Sequence, residues 1–179
     1  LEVYDKSKSR PAVNSVNLED GRKQLIGLAK DHDAMLFANA SGRETMPSSA
    51  EERVENLQQI MAMMDEGGIA MDDRYLDPLA FPIGAGSEFS RHYLGAVKMI
   101  REEFPEVHIF GGHSNTSFGL PQRRVINDAF ITLSIIYGCD TLMIDPVLNQ
   151  PKDFIEFKLA NDALMGVDEM CMNYISHLR

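Results

Sequence analysis

Ala34-Met35-Leu36-Phe37-Ala38-Asn39 is the stretch on which the fold turns: five apolar residues, an asparagine, then Ala40-Ser41-Gly42. A short apolar run closed by turn-forming residues reads as a buried strand. Ser48-Ser49-Ala50-Glu51 follows, where a serine N-cap three residues before a glutamate satisfies two unpaired backbone donors reciprocally. Behind it Val54, Leu57, Met61 and Met64 recur at spacings of three and four, the stripe of an amphipathic helix packed on a sheet, and Gly67-Gly68 stops the helix. The stretch is one strand feeding one helix.

Outward from it the same unit recurs. An earlier strand lies near Pro11-Ala12-Val13, with a helix over 18–30. A third strand runs through Arg74-Tyr75-Leu76, and its helix carries Phe89, Tyr93, Val97, Ile100 and Phe104 on one face before Pro105 closes it. The fourth strand is Val107-His108-Ile109-Phe110. Its helix, over 122–137, is apolar on several sides and is expected to lie buried between the sheet and its neighbours. The fifth strand is Thr141-Leu142-Met143-Ile144, followed by a helix after Pro151 and a last one from about Val167. Strand ends at Asn14, Asn39, Asp77, Gly111 and Asp145 lie 25, 38, 34 and 34 residues apart, which suits successive units of one barrel. The predicted class is α/β, five βα units around a parallel sheet.

Composition narrows the function. With 27 acidic against 17 basic residues the net charge is -10, the wrong field for gripping a phosphate backbone, so no nucleic-acid partner is expected. Cys139 and Cys171 form no CxxC pair and have no histidine at metal-ligand spacing, so neither a disulfide framework nor a metal site is expected, and the reading is a reducing cytoplasm. No apolar run approaches the ~18 residues of a membrane span. Leu1-Glu2-Val3-Tyr4 has neither an initiator methionine nor signal-peptide architecture, and the chain reads as a piece of something longer.

Each strand hands over to its loop with a polar or glycine signature: Asn14-Ser15-Val16-Asn17, Asn39-Ala40-Ser41-Gly42, Asp77-Pro78-Leu79, Gly111-Gly112-His113-Ser114-Asn115 and Asp145-Pro146. In a βα barrel these carboxyl ends share one face, where active sites are built. Taken singly, each is also an ordinary turn or cap residue. The set lacks a phosphate cradle of the GxxxxGK[ST] kind and suits a flat polar heterocycle. Asp77 can accept two parallel hydrogen bonds from an amino-pyrimidinone edge.

Asn14-Ser15-Val16-Asn17, Leu76-Asp77-Pro78-Leu79, and above all Ser114-Asn115-Thr116-Ser117-Phe118-Gly119-Leu120-Pro121-Gln122-Arg123 followed by Ile126-Asn127 resemble the pterin-binding methyltransferases, over nearly the whole chain. That family includes methyltetrahydrofolate:corrinoid methyltransferases and the folate domain of cobalamin-dependent methionine synthase. The resemblance implies a TIM (β/α)8 barrel of the dihydropteroate-synthase-like type. Residues 1–179 would be the C-terminal portion of its pterin-binding domain, strands four to eight of about 250 residues, with a pterin-contacting aspartate on an earlier strand outside this chain. An incomplete barrel leaves two open sheet edges that something must meet.

The implied reaction moves the N5 methyl of 5-methyltetrahydrofolate to the cobalt of a corrinoid. N5 leaves badly as an amine anion and needs a proton or a strong hydrogen bond. Asn115 is the implied catalytic residue, because an amide both donates and accepts without titrating. By the same resemblance Asn14, Asp77, Ser114 and Asn115 bind the substrate. Arg123 sits at the site mouth or braces the loop; it and the adjacent Arg124 cannot face the same way at a helix start, so one of the two is a surface charge, and Phe118 places an aromatic where part of the family carries a polar residue. Tetrahydrofolate enters as substrate. The cobalamin or other corrinoid arrives on a separate protein, since no Asp-x-His-x-x-Gly motif is present. A homodimer is expected, without membrane or nucleic-acid partners.

Two rivals stand beside this reading. A dihydropteroate-synthase-like transferase would need a Lys or Ser-x-Arg constellation that is not found; a folate-binding module would bind without catalysis. His113 is a weaker candidate, as a proton relay beside Asn115. Asn39 and Ser41 are pocket-lining or turn residues, Asp31-His32-Asp33 a solvated helix end, and Asp145 a strand terminator.

Overall fold

The computed structural model describes residue 1 and residues 3–179. Four parallel strands form one sheet, in the order in which they occur along the chain. They are β1 (Ala12–Val16), β2 (Met35–Asn39), β3 (Arg74–Asp77) and β4 (His108–Ile109). Helices α1 (Gln24–Asp31), α2 (Ala50–Glu66) and α3 (Phe89–Glu103) supply the crossovers that parallel neighbours require. Beyond β4 come α4 (Arg123–Tyr137), α5 (Pro151–Leu164) and the short α6 (Met172–His177). This is an open, partial βα barrel.

Strand alternation divides the sheet into two unlike faces. Leu36, Ala38, Leu76 and Ile109 are fully buried in one core with Leu57, Ile60 and Met64 of α2 and Val97 and Ile100 of α3. Each large side chain so buried contributes roughly 1.5–3 kcal/mol. On the opposite face Phe37, Tyr75 and His108 occupy one rung of the ladder. Their rings stack, Phe37 on Tyr75 and Tyr75 on His108, with centroids 4.5 Å apart in both pairs. Phe110 meets Phe37 edge-on at 4.7 Å. One rung higher, Asn39 and Asp77 are register partners and the last residues of their strands. The aromatic rung is therefore a floor, with two polar side chains at its rim.

Several elements differ from their sequence expectation. The α2 cap falls one residue later than Ser48 and Glu51: Ser49 Oγ accepts from the Glu52 N–H at 3.1 Å, and the Glu52 carboxylate accepts from the Ser48 N–H at 2.7 Å. The box pairs the residue before the first helical one with the third helical position, and the helix begins at Ala50. α1 begins at Gln24, after turns that occupy the expected first residues. The final helix waits until Met172, because Met170 and Cys171 both take positive φ.

The fifth strand does not form. Thr141-Leu142-Met143-Ile144 is anchored only at its start, where the N–H groups of Asp140 and Thr141 both donate to the Ile109 carbonyl at 3.2 and 3.1 Å. β4 is two residues long and offers no ladder beyond that point. The sheet therefore has four units, not the expected five. The same end of the molecule corrects the reading of α4. It buries one side, through Phe130, Ile131, Ser134 and Ile135, while Val125, Leu133 and Ile136 stay exposed for want of a strand beyond β4 to lie against.

Candidate functional site

β3 ends in Asp77, and its carboxylate immediately shapes the next turn: Oδ1 accepts the Leu79 N–H at 2.8 Å, with Leu79 at φ 67°. Such a turn leaves the second oxygen available, and among the described residues Oδ2 accepts no hydrogen bond. Desolvation pushes the Asp77 carboxyl up to about 7, although the Leu79 N–H and the charge of Arg53 both pull it down. A carboxylate at such a rim can accept from paired N–H donors.

Asn39, beside it, has its amide oriented on both sides. Nδ2 donates to Ser15 Oγ at 2.7 Å, and Oδ1 accepts the Ser41 N–H at 3.1 Å. The turn reading of Asn39 thus holds, and its place on the rim holds with it. Ser15 reaches it because the β1–β2 register shifts between Asn14 and Val16. Asn14 itself is not at a strand end. It pairs with Phe37, below Asn39, and is exposed on an edge strand that continues to Val16.

The Ser114-Asn115 motif forms a 3₁₀ turn, His113–Ser117, after β4. Ser114 and Asn115 are exposed, while His113, Thr116 and Ser117 are buried beneath them. Arg123, the first residue of α4, ties the turn down: Nη2 donates to the Ser114 carbonyl at 2.7 Å and Nε to Ser117 Oγ at 3.0 Å. Arg124 pairs with Asp128 at 3.5 Å on the surface. Phe118 follows the turn with 68% of its surface exposed. The Asn115 amide folds back over Gly112, where an added Cβ would stand 3.1 Å from Nδ2. A hollow of about 320 Å³ opens beside the turn, lined by Ser114, Arg123, Asn127 and Asp145 among others. Asp145 closes an Asx turn on the Val147 N–H at 2.9 Å.

The turn and the loop after β3 are joined, the Ile83 N–H donating to the Thr116 carbonyl at 3.0 Å. The structure thus gathers Ser114, Asn115 and Arg123 into one unit and links it to the loop that Asp77 begins. Asn14 lies on the same sheet face but lower and at the edge. Among the described residues no hydrogen bond joins Asn14, Asp77 and Asn115 directly.

His113 does not serve as a relay. Its ring is wholly buried between Tyr93 and Phe130, with centroids 5.9 and 5.5 Å away, and neither nitrogen has a hydrogen-bond partner among the described residues. Burial depresses it to about 4, so it is neutral at pH 7. It supports the turn by packing. Gly111 is needed for the same reason, since a Cβ there would come within 2.4 Å of the Tyr93 hydroxyl. Sequence reasoning missed the Ser15–Asn39 pair and the buried Arg53 of α2; neither residue type carries a signal of its tertiary partner.

Both cysteines are free. Among the described residues no group of three His, Cys, Asp or Glu side chains is placed to hold a metal ion, and no helix is long and apolar enough to cross a membrane.

The fold is one of parallel βα units whose strand ends carry polar residues, and the family model for pterin binding enzymes matches residues 7–145. The chain belongs to that family. It is 29% identical over 180 residues to the methylcorrinoid:tetrahydrofolate methyltransferase of Eubacterium limosum, covering 99% of this chain and 65% of that protein. It is 28% identical over 168 residues to the methionine synthase of Mycobacterium tuberculosis, covering 87% of this chain and 14% of that one. The chain thus spans about two thirds of the length of the first relative and a small part of the second.

Proposed function

We propose that this chain is the pterin-holding part of an enzyme that transfers the methyl group of 5-methyltetrahydrofolate to the cobalt of a corrinoid carried by a separate protein. The observation that carries the reading is the half-buried Asp77 carboxylate, open on one oxygen, at a strand end whose loop is tied to the Ser114-Asn115 turn. The names of the two relatives support the reaction class.

In this reading the whole chain acts as one pterin-binding unit. Asp77 accepts from the N–H donors of the pterin edge while Asn14 and Ser114 complete its polar contacts. Asn115 meets N5, donating or accepting as N5 changes its protonation. Arg123 holds the turn that presents them, and Phe118 offers an exposed aromatic ring to the approaching substrate or corrinoid. The Eubacterium relative is named for the reverse direction, and the same groups serve both because forward and back reactions share one transition state. A homodimer and a transiently docked corrinoid protein are the expected assemblies.

The test is a methyl-transfer assay with 5-methyltetrahydrofolate and a reduced corrinoid protein, beside a calorimetric titration of methyltetrahydrofolate alone. Transfer above the rate without protein supports the proposal. Binding without transfer would establish a folate-holding module instead, and absence of both would end the pterin reading for this chain.

A further inference from the structure

Arg53 stands in the first turn of α2 with none of its surface exposed, a rare place for a guanidinium. Nη1 donates to the Ser49 carbonyl at 2.6 Å. The guanidinium carbon lies 4.8 Å from the centre of the Phe81 ring, four residues beyond Asp77. Nε and Nη2 are buried and have no hydrogen-bond partner among the described residues. A guanidinium cannot shed its proton to escape burial, so it must find an opposing charge.

Among the described residues it makes no ion pair within 4.0 Å, so any opposing charge acts through space, and the two carboxylates that do so are Glu52 and Asp77. Glu52 is already committed to the Ser48 N–H and hydroxyl, at 2.7 and 2.8 Å. Asp77 is the anion whose loop the guanidinium also touches, through Phe81. That loop is held at three points: the turn closed by Asp77 on Leu79, the cation over Phe81, and the Ile83 bond to Thr116.

We propose that Arg53 is a positioning residue for Asp77: it pins the loop through Phe81 and, as the fixed counter-charge, holds the Asp77 carboxyl in the form that accepts N–H donors. The pterin consequence rests on the function proposed above; the pairing itself does not.

The other groups around Asp77 leave this task to Arg53. Tyr93 of α3 and Cys139 after α4 feel the Asp77 charge, and burial drives both toward their neutral forms, the thiol up to about 12. Asn39 carries no charge, and Tyr75 and His108 belong to the rung below. Removing Arg53 would leave burial of the carboxyl opposed only by the Leu79 N–H.

The experiment is a ¹³C NMR titration of the Asp77 carboxyl in the full chain without ligand. Arg53→Met is expected to raise its midpoint by about one pH unit or more, as loss of a nearby opposite charge does, while Arg53→Lys keeps it close to the parent. An unmoved midpoint in Arg53→Met would overturn the pairing. Should that variant not fold, the parent answers the question: the Arg53 Nε–H resonance must shift with the Asp77 midpoint, and an Nε–H indifferent to that titration overturns the proposal.

The companion readout is methyltetrahydrofolate affinity against pH. Arg53→Met should lose about tenfold at pH 7 and recover above pH 8, whereas a merely structural role would lower affinity equally at every pH and would count against the proposal. A shifted midpoint with no folate binding at any pH would sink the pterin reading and leave the pairing intact.

Discussion

Asn115→Ala should slow single-turnover methyl transfer by about 10²–10³-fold, roughly 2.7–4 kcal/mol of barrier, while changing methyltetrahydrofolate affinity by less than about tenfold. The argument is one of differential binding: N5 needs its hydrogen bond most when the carbon–nitrogen bond is breaking, so an amide placed there acts on the rate and little on the ground state. The side chain is free to do this, being exposed on a turn whose backbone is secured by Arg123 rather than by Asn115. Alanine therefore removes the amide without releasing the turn. Asn115→Asp should fare no better, since an ionised carboxylate cannot donate to N5. Rate and affinity falling by equal factors would show instead that Asn115 only holds the substrate.

Asp77→Asn should cost affinity and return stability, a pairing of effects that few surface residues would produce. Replacing a carboxylate by an amide at a paired N–H donor site substitutes a donor for an acceptor, and a loss of about 3 kcal/mol, roughly 10²-fold in affinity, is expected.

The stability change follows from burial. The folded-state carboxyl is pushed up to about 7, above the ordinary value of 3.8. Between those values the folded chain binds more protons than the unfolded chain, so stability falls as pH rises through this window, and the penalty is complete above pH 7. Asparagine carries no such penalty. The variant should gain about 2 kcal/mol at pH 8, a figure discounted because the carboxyl retains solvent contact, and nothing at pH 3. Thermal unfolding at the two pH values checks it. A variant less stable at pH 8 would mean that the Asp77 bond to Leu79 outweighs its desolvation.

The alternation of strands and helices was legible because period and punctuation are local properties. The Val54, Leu57, Met61 and Met64 stripe is buried as expected, and α2 ends before Gly67. What could not be read depended on neighbours. Thr141-Leu142-Met143-Ile144 has a strand's composition, but pairing requires a partner longer than the two residues of β4. Asn14 looks like a terminator, yet an edge strand tolerates polar residues in its interior. Arg53 carries no local mark of a tertiary partner, and only the fold reveals that it is turned inward against Phe81. His113 was ambiguous for the same reason: beside an asparagine it suggests proton transfer, and the apolar walls that keep it neutral come from α3 and α4.

The rung of Phe37, Tyr75 and His108 also gives the molecule an optical property. The chain has no tryptophan, so its ultraviolet emission comes from tyrosine, and Tyr75 stacks two residues before Asp77. A pterin resting on that carboxylate would absorb light where tyrosine emits. Occupancy of the rim would then register as a dimming of the native glow, giving a label-free view of substrate arrival that needs no corrinoid and no turnover.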